Sequence, residues 1–253
     1  MLKVRLDSLV VARGLAATRE RARALILAAH VQVDGQVVSK AGTLVSPESD
    51  VSLLQADHPY VGRGGIKLAH ALDVFRIDPA GRVALDVGAS TGGFTDVMLQ
   101  RGARLVVALD VGHGQLEWKL RTDPRVVPLE RVNARALTAD QLPPHARVFD
   151  LITVDVSFIS LRQILPALVP LLGATGSLVL LVKPQFEAGR ADVGKGGIVR
   201  DPDIHRRVVD EVAAAASELG LVRTGEAPSP IEGAEGNREF FLHLRRKPEL
   251  ENP

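Results

Sequence analysis

In the stretch Ala84 to Asp96, A-L-D-V-G-A-S-T-G-G-F-T-D, an acid precedes three glycines and two hydroxyls, and a second acid, Asp110, ends the apolar run Leu105 to Leu109. Gly88, Gly92 and Gly93 carry no Cβ and can take φ > 0, so a ligand can approach the backbone closely there. The helix start that follows at Phe94 offers free N–H groups to an acceptor, a carboxylate more readily than a phosphate. Spacing separates three nucleotide chemistries. A phosphate loop requires lysine after its last glycine, where Phe94 stands. A dinucleotide fingerprint requires G-x-G-x-x-G, and these glycines read G-x-x-x-G-G, which disfavours a pyrophosphate cradle. The wider glycine loop of methyl donors remains, with Asp86 placed to meet a ligand amine and Asp110 suited to a bidentate hold on ribose hydroxyls. A strand–turn–helix that binds nothing is the bland alternative.

The elements that must position these residues follow from periodicity. From residue 82 apolar runs alternate with helical patterns, giving strands over 82–87, 104–109, 125–129, 149–154 and 176–182 and a long helix over about 203–219. That alternation predicts a parallel sheet covered on both faces, doubly wound, with ligands outside the carboxyl ends of the strands. Val222 to Glu226 and Arg238 to Leu244 would complete seven strands, and the Gly-rich turn Ile231 to Asn237 makes the last one antiparallel. Ahead of the sheet, Ile66 to Phe75 reads as a helix with Leu68, Leu72 and Phe75 facing inward and Lys67 in its first turn. The helix dipole disfavours a lysine there, which suits a side chain aimed at a cleft.

This topology gathers polar residues. Asp155 and Lys183 follow strands, so both stand at the carboxyl edge of the sheet, and Glu239, at the start of a strand running the other way, reaches the same edge. Lys67 can reach it from the linker side. Ion pairs at strand ends are also common in purely structural roles. The Gly-rich, basic run 187–200 after Lys183 is either a mobile surface loop or a lid whose Arg190, Lys195 and Arg200 clamp a substrate. Trp118, without a partner stripe, is assigned to packing.

Residues 1–40 differ from the rest: seven basic residues against three acids, a net +4 in a chain whose total is +1. Leu6, Leu9 and Val10 repeat at helical spacing up to Gly14. Ala22, Leu25, Ile26 and Ala29 form a second amphipathic helix with Thr18 as N-cap. Val31, Val33, Val37 and Val38 flank Asp34-Gly35, a two-residue hairpin signal, and Leu44, Val45 and Val51 to Leu54 finish a compact unit. Arg19 and Arg23 lie on one face of the second helix and Arg21 on another; a solvated face is the usual fate of such charges. Helix, helix, then V-x-V-D-G, with arginines leading the second helix, resembles the S4 RNA-binding module over about residues 3–57. The resemblance implies structured RNA as partner, contacted through Arg5, Arg19, Arg21, Arg23 and Lys40. With few aromatics to stack bases, contact should be to backbone phosphate and shape.

The order Lys67, Asp155, Lys183, Glu239 behind D-V-G-A-S-T-G-G-F-T-D resembles the Lys-Asp-Lys-Glu tetrad of FtsJ-like ribose 2′-O-methyltransferases. With G-R-G-G-I-K-L, D-V-S-F-I-S-L, K-P-Q-F-E-A-G-R and the S4-like module, the chain resembles the TlyA family, also labelled haemolysins, over nearly its whole length. The implied fold is α/β: a doubly wound, seven-stranded, Rossmann-like methyltransferase sheet behind a small α+β S4-like domain. The implied division is residues 1–58 for the S4-like domain, 59–64 linker, 65–248 methyltransferase domain and 249–253 tail. The implied activity is S-adenosylmethionine-dependent 2′-O-methylation of a ribose, a cytidine in this family, in ribosomal RNA or a ribosomal subunit. For the donor the resemblance implies Asp86, Gly88, Ser90, Thr91, Gly92, Gly93, Phe94, Asp110, Val111, Asn133 and Asp155, and for RNA it adds Arg63, Arg190 and Lys195.

The residue types suit that chemistry. A ribose hydroxyl is a poor nucleophile, and in-line attack on a methyl needs a base and a positive environment for the developing alkoxide. A lysine serves as base near neutral pH only if burial and a second cation depress its pKa by several units from about 10.4. Asp155 and Glu239 would orient the ammonium groups while opposing that shift; Lys183 is expected as base or alkoxide stabiliser, the sequence leaves open which lysine loses its proton, and positioning is the alternative source of much of the rate.

Other classes meet obstacles. A pseudouridine synthase can carry an S4 module, and R-L-D at Arg5 to Asp7 is similar to its catalytic motif, but here the tripeptide lies in the RNA-binding helix and no further synthase signal follows. A membrane-lytic protein needs a strongly amphipathic or apolar inserting segment, and the longest apolar stretch, near Leu178 to Val182, is far too short to span a bilayer. Cysteine is absent and the seven histidines show no paired ligand spacing, so no metal site is expected. No apolar signal segment leads the chain, and a cytoplasmic protein is expected.

Overall fold

The computed structural model describes residues 3–54, 58–233 and 236–248. The expected tail 249–253, residues 55–57 of the expected S4-like domain and residues 234 and 235 of the expected last turn lie outside them. The chain divides into two compact units, Met1–Pro59 and Tyr60–Pro253.

In the first unit, β1 (Val4–Arg5) leads into α1 (Leu6–Ala12), followed by α2 (Arg19–Leu27), β2 (Val31–Val33), β3 (Gln36–Val38), β4 (Leu44–Val45) and β5 (Val51–Leu53). Thr18 caps α2 as expected, its hydroxyl accepting from Arg21 N–H at 3.2 Å. Asp34 and Gly35 form the two-residue hairpin turn, with φ of 51° and 77°, so that Val33 faces Gln36 across the ladder. Two positive φ values match the twist of the flanking strands. Leu6, Val10, Ala22, Ile26 and Val31 are fully buried in a small core of the unit's own.

The second unit opens with α3 (Gly64–Phe75), then β6 (Val83–Val87), α4 (Gly93–Gln100), β7 (Leu105–Asp110), α5 (Trp118–Arg121), β8 (Val126–Glu130), β9 (Phe149–Val154), α6 (Leu161–Leu168), β10 (Leu172–Val182), α7 (Pro184–Glu187), α8 (Pro202–Glu218), β11 (Leu221–Pro228) and β12 (Phe240–Arg246). Seven strands form one sheet in the order β11-β12-β10-β9-β6-β7-β8. β6 to β10 pair in parallel, whereas β12 runs antiparallel to both β10 and β11, as the short connection into it required. Strand residues alternate between two faces. Ala84, Val106, Ala108, Leu151, Val179, Leu181 and Phe241 pack against α3 and α4. Leu85, Val107, Leu109, Ile152, Leu180 and Leu242 pack on the other face against α6 and α8. Both faces are covered, so the strands carry near-continuous apolar runs.

Two expectations are corrected. β10 begins at Leu172, because Gly173 and Gly176 sit at a register shift that lets the strand bend before Ser177. Trp118 does not pack: it is 73% exposed, since α5 is a single turn whose inward face is taken by Leu120.

Candidate active site

The glycine turn connects β6 to α4 at the carboxyl edge of the sheet. Gly88 has φ 84°, and a Cβ there would lie 2.2 Å from the carbonyl oxygen of Asp155, so the turn and the end of β9 touch through backbone alone. Gly92, with φ 98°, precedes the first residue of α4, and a Cβ on it would strike Leu120 and Leu116. Ser90 also takes a positive φ of 48°. Its N–H donates to Asp110 Oδ2 at 2.8 Å while Gly112 N–H donates to Oδ1 at 2.7 Å. Both carboxylate oxygens of Asp110 are thereby fixed at the end of β7.

Beside this turn lies a cavity of about 440 Å³, lined by Gly88, Ser90, Leu109, Asp110, Val111, Gln115, Val132, Asn133, Asp155 and the segment Val156 to Ile159. A smaller hollow of about 130 Å³ adjoins it, lined by Gly64, Ser90, Thr91, Gly93, Phe94 and Asp155. Asp155 and Gly88 belong to both, so the two spaces meet at the end of β9. Apolar walls with one fixed carboxylate and a few amide groups suit an amphiphilic, nucleoside-like ligand.

Asp86 stands near the end of β6, just ahead of the turn. Its carboxylate is fully buried beneath the turn and accepts the Thr95 hydroxyl at 2.7 Å and the Thr153 hydroxyl at 3.2 Å. It is not among the residues lining the cavity, and its two hydroxyl contacts brace β6, β9 and α4 together. Burial, above all, pushes its pKa up to about 7, with the Asp155 charge adding to the rise.

The four residues of the tetrad form two ion pairs. Lys67 Nζ lies 2.5 Å from Glu239 Oε2, joining the first turn of α3 to the residue that precedes β12. Both residues are buried. Lys183 Nζ lies 2.6 Å from Asp155 Oδ1 and 3.1 Å from Ser157 Oγ. β10 and β12 bring the pairs together: Val182 faces Phe240 across the ladder, so Lys183 and Glu239 are adjacent at one edge. Gly93, behind the glycine turn, sits so close to α3 that a Cβ on it would be 2.9 Å from Gly65 N. The helix carrying Lys67 and the turn beside the cavity are thus in contact.

Sequence reasoning passed over several residues here. Phe158 takes φ 66°, is 91% exposed and lies 5.0 Å from the Phe186 ring at the cavity wall. Asn237 is fully buried, its amide donating to Gly197 O at 2.9 Å and its Oδ1 accepting Val199 N–H at 3.0 Å. It fastens the 194–199 segment, so the run expected to be a mobile loop or lid is tied to the lead-in of β12. Glu187 accepts Ser160 Oγ at 2.6 Å and Leu161 N–H at 2.7 Å, anchoring the start of α6, and burial raises its pKa. The G-N-x-E spacing before the last strand and the E in K-P-Q-F-E were the available signals.

The basic residues fall in several settings. Arg5 and Arg19 both pair with the buried Asp7, Arg21 is half-buried with Nη2 3.4 Å from the His58 carbonyl, and Arg23 and Lys40 are exposed. In the second unit Arg63, Arg190, Lys195 and Arg200 are exposed. Among the described residues no helix is long and apolar enough to cross a membrane, and no three or more His, Cys, Asp or Glu side chains are grouped so as to hold a metal ion.

Residues 60–246 match the FtsJ-like methyltransferase family and residues 4–51 match the S4 domain. The chain is 50% identical over 244 residues to a Mycobacterium tuberculosis protein named 16S/23S rRNA (cytidine-2'-O)-methyltransferase TlyA, covering 96% of this chain and 90% of that one. It is 39% identical over 241 residues to Hemolysin A of Brachyspira hyodysenteriae, covering 95% and 99% respectively. A solved structure from Streptococcus thermophilus, described as a hemolysin, superposes with a TM-score of 0.77 at 44% identity, covering 98% of this chain and 90% of that one.

Proposed function

The chain belongs to the TlyA family of S4-bearing, FtsJ-like methyltransferases, and on that footing we propose that it transfers a methyl group from S-adenosylmethionine to the 2′-oxygen of a cytidine ribose in ribosomal RNA. The observation that carries the reading is the pair Lys183–Asp155 at the wall of a cavity whose other wall holds Asp110 with both oxygens fixed. The first supports a cation next to Asp155 for the reacting hydroxyl; the second supports a rigid acceptor pair for a ribose diol.

S-adenosylmethionine supplies an electrophilic methyl on a sulfonium. To hold it, Asp110 would accept from the ribose hydroxyls, Asn133 and Val111 would border the base, and the glycine turn with Ser90, Thr91, Gly93 and Phe94 would take the amino-acid portion. Asp86 acts from beneath by holding β6 and α4 in register. Lys183, whose ammonium Asp155 and Ser157 fix, would face the target hydroxyl and stabilise the alkoxide, or take its proton once the amine is neutral, as the O–CH3 bond forms and the S–CH3 bond breaks to release S-adenosylhomocysteine. Lys67, held by Glu239, adds the second positive charge. Basic residues of the first unit engage RNA through phosphate and shape, since one ribose hydroxyl is chemically like the next. Ribosomal RNA or a ribosomal subunit is the partner, and the cytoplasm the place of action.

The test is incubation of purified protein with S-adenosylmethionine and ribosomal subunits or their extracted RNA, followed by mapping of alkali-resistant ribose positions. A single new 2′-O-methylcytidine is the expected result. Methylation of a base, or transfer only to protein, would overturn the reading, and liposome leakage by the same preparation would point to the haemolysin label instead.

A further inference from the structure

The R-L-D motif at the start of α1, so far without chemistry, holds a carboxylate that two arginines share. Asp7 is fully buried. Arg5 closes a fork on it, Nε donating to Oδ1 at 3.0 Å and Nη2 to Oδ2 at 2.8 Å. Arg19, at the start of α2, places Nε 3.2 Å from Oδ2 and Nη2 3.4 Å from Oδ1. Ser8 Oγ adds an interaction with Oδ1 at 3.4 Å. The anion is hidden while its partners are not: the side chains of Arg5 and Arg19 are 47% and 51% exposed. Arg5, and then Arg19, hold the Asp7 carboxyl well below the usual carboxylate range.

A buried carboxylate costs desolvation, and apolar packing would often serve stability as well. What the cluster gains is geometry. A guanidinium has five N–H donors in a rigid plane. The fork of Arg5 uses two of them, leaving the others to point away from Asp7. Its outer edge lies against Gly42, where a Cβ would stand 3.4 Å from Nη1. Two cations on one anion leave a net positive charge on the exposed side.

We propose that Asp7 is a positioning residue for RNA, locking Arg5 and Arg19 side by side as a preorganised seat for a backbone phosphate. The inference rests on the reading of the chain as an RNA-modifying enzyme, and it carries a sign opposite to bare electrostatics. Asp7→Asn adds one positive charge to the unit, so charge attraction alone would tighten RNA binding and steepen its salt dependence. Loss of positioning does the reverse.

The experiment measures binding of the full chain to a labelled ribosomal RNA fragment over a range of salt. Asp7→Asn is expected to weaken binding roughly tenfold and to shallow the slope of log K against log salt by about 0.7 to 0.9 for each phosphate that is no longer held. Arg5→Lys and Arg19→Lys keep the charge but remove the fork, and each is expected to weaken binding comparably. In the double lysine background Asp7→Asn should add nothing. Tighter binding by Asp7→Asn, or wild-type binding by the lysine variants, overturns the proposal. Should Asp7→Asn fail to fold, the lysine variants decide the matter, because their side chains are half exposed. Absence of RNA binding by the wild-type chain would overturn the proposed function itself, a different outcome from tightening by Asp7→Asn.

Discussion

Each unit of this protein sets cations against carboxylates, and the two do it in opposite ways. In the first, one buried Asp7 is shared by two half-exposed arginines; in the second, Lys67 and Lys183 each have a carboxylate of their own and are themselves largely withdrawn from water. Arginine stays charged and presents a flat fork, so a shared anion leaves it free to hold something outside. Lysine is a compact charge, so one-to-one pairing inside holds each ammonium at a fixed point. On the function proposed above, the excess cations at the surface would serve binding and the balanced ones within would serve chemistry.

The sharpest way to break that contrast is Lys183→Ala. It should lower methyl transfer by roughly 10² to 10⁴ while calorimetry shows donor affinity largely intact. If the rate stays near normal and RNA affinity falls instead, the buried lysine is a binding residue and the contrast collapses. Asp110→Ala should show the converse, weakening S-adenosylmethionine binding by about 1–3 kcal/mol, the cost of stranding a charged hydrogen bond. Tighter binding of NAD than of S-adenosylmethionine would remove the donor assignment.

Asp86 sharpens the contrast through pH. Its native pKa, about 7, lies above its ordinary value of 3.8. The protonated form is favoured in the native state, so this group's contribution to stability is full below about 4 and is lost as pH rises to about 7. Asp7, with its lowered pKa, contributes in the opposite sense, losing stability as acid is added. Urea midpoints of wild type and Asp86→Asn, compared at pH 5 and pH 8, should lie closer together at the lower pH and further apart at the higher, with the variant ahead. Parallel midpoints at both values would show that Asp86 is not held protonated.

Smaller effects test the surface. Replacing Arg19 and Arg23 with glutamine should weaken RNA binding across sequences, shallow the salt slope by about 0.7 to 0.9 per phosphate released, and leave donor affinity alone. A fragment starting near Tyr60 that methylates the same nucleotide at full rate would show that the first unit recruits nothing. Smallest of all, Trp118→Ala should change stability by no more than about 0.5 kcal/mol, as for an ordinary exposed position; a loss of several kcal/mol would restore the packing role.

Much of this was legible in the sequence because period and topology are strong signals. Alternation of apolar runs with helical patterns gave the doubly wound sheet, and the short connection before Phe240 gave the antiparallel last strand. From strand ends alone Asp155, Lys183 and Glu239 could be placed at one edge. Side-chain direction was not legible. The position of Asp86 before the glycines points it at a ligand, and only the two hydroxyls beneath the turn, Thr95 and Thr153, show why it faces away. Asn237 reads as a turn residue, whereas its amide closes bonds to a segment 38 and 40 residues earlier. Partners so far apart leave no periodic trace, and neither does the left-handed backbone of Phe158.

The placement of β12 between β10 and β11 bears on how the enzyme comes into being. The sheet cannot be completed while residues 240–246 are still unmade, since β11 then has no neighbour to pair with. Lys67, made 172 residues earlier than its partner Glu239, must wait through nearly all of synthesis for its counter-charge. The growing chain therefore carries its first unit long before the Lys67–Glu239 pair and the last strand of the sheet can form.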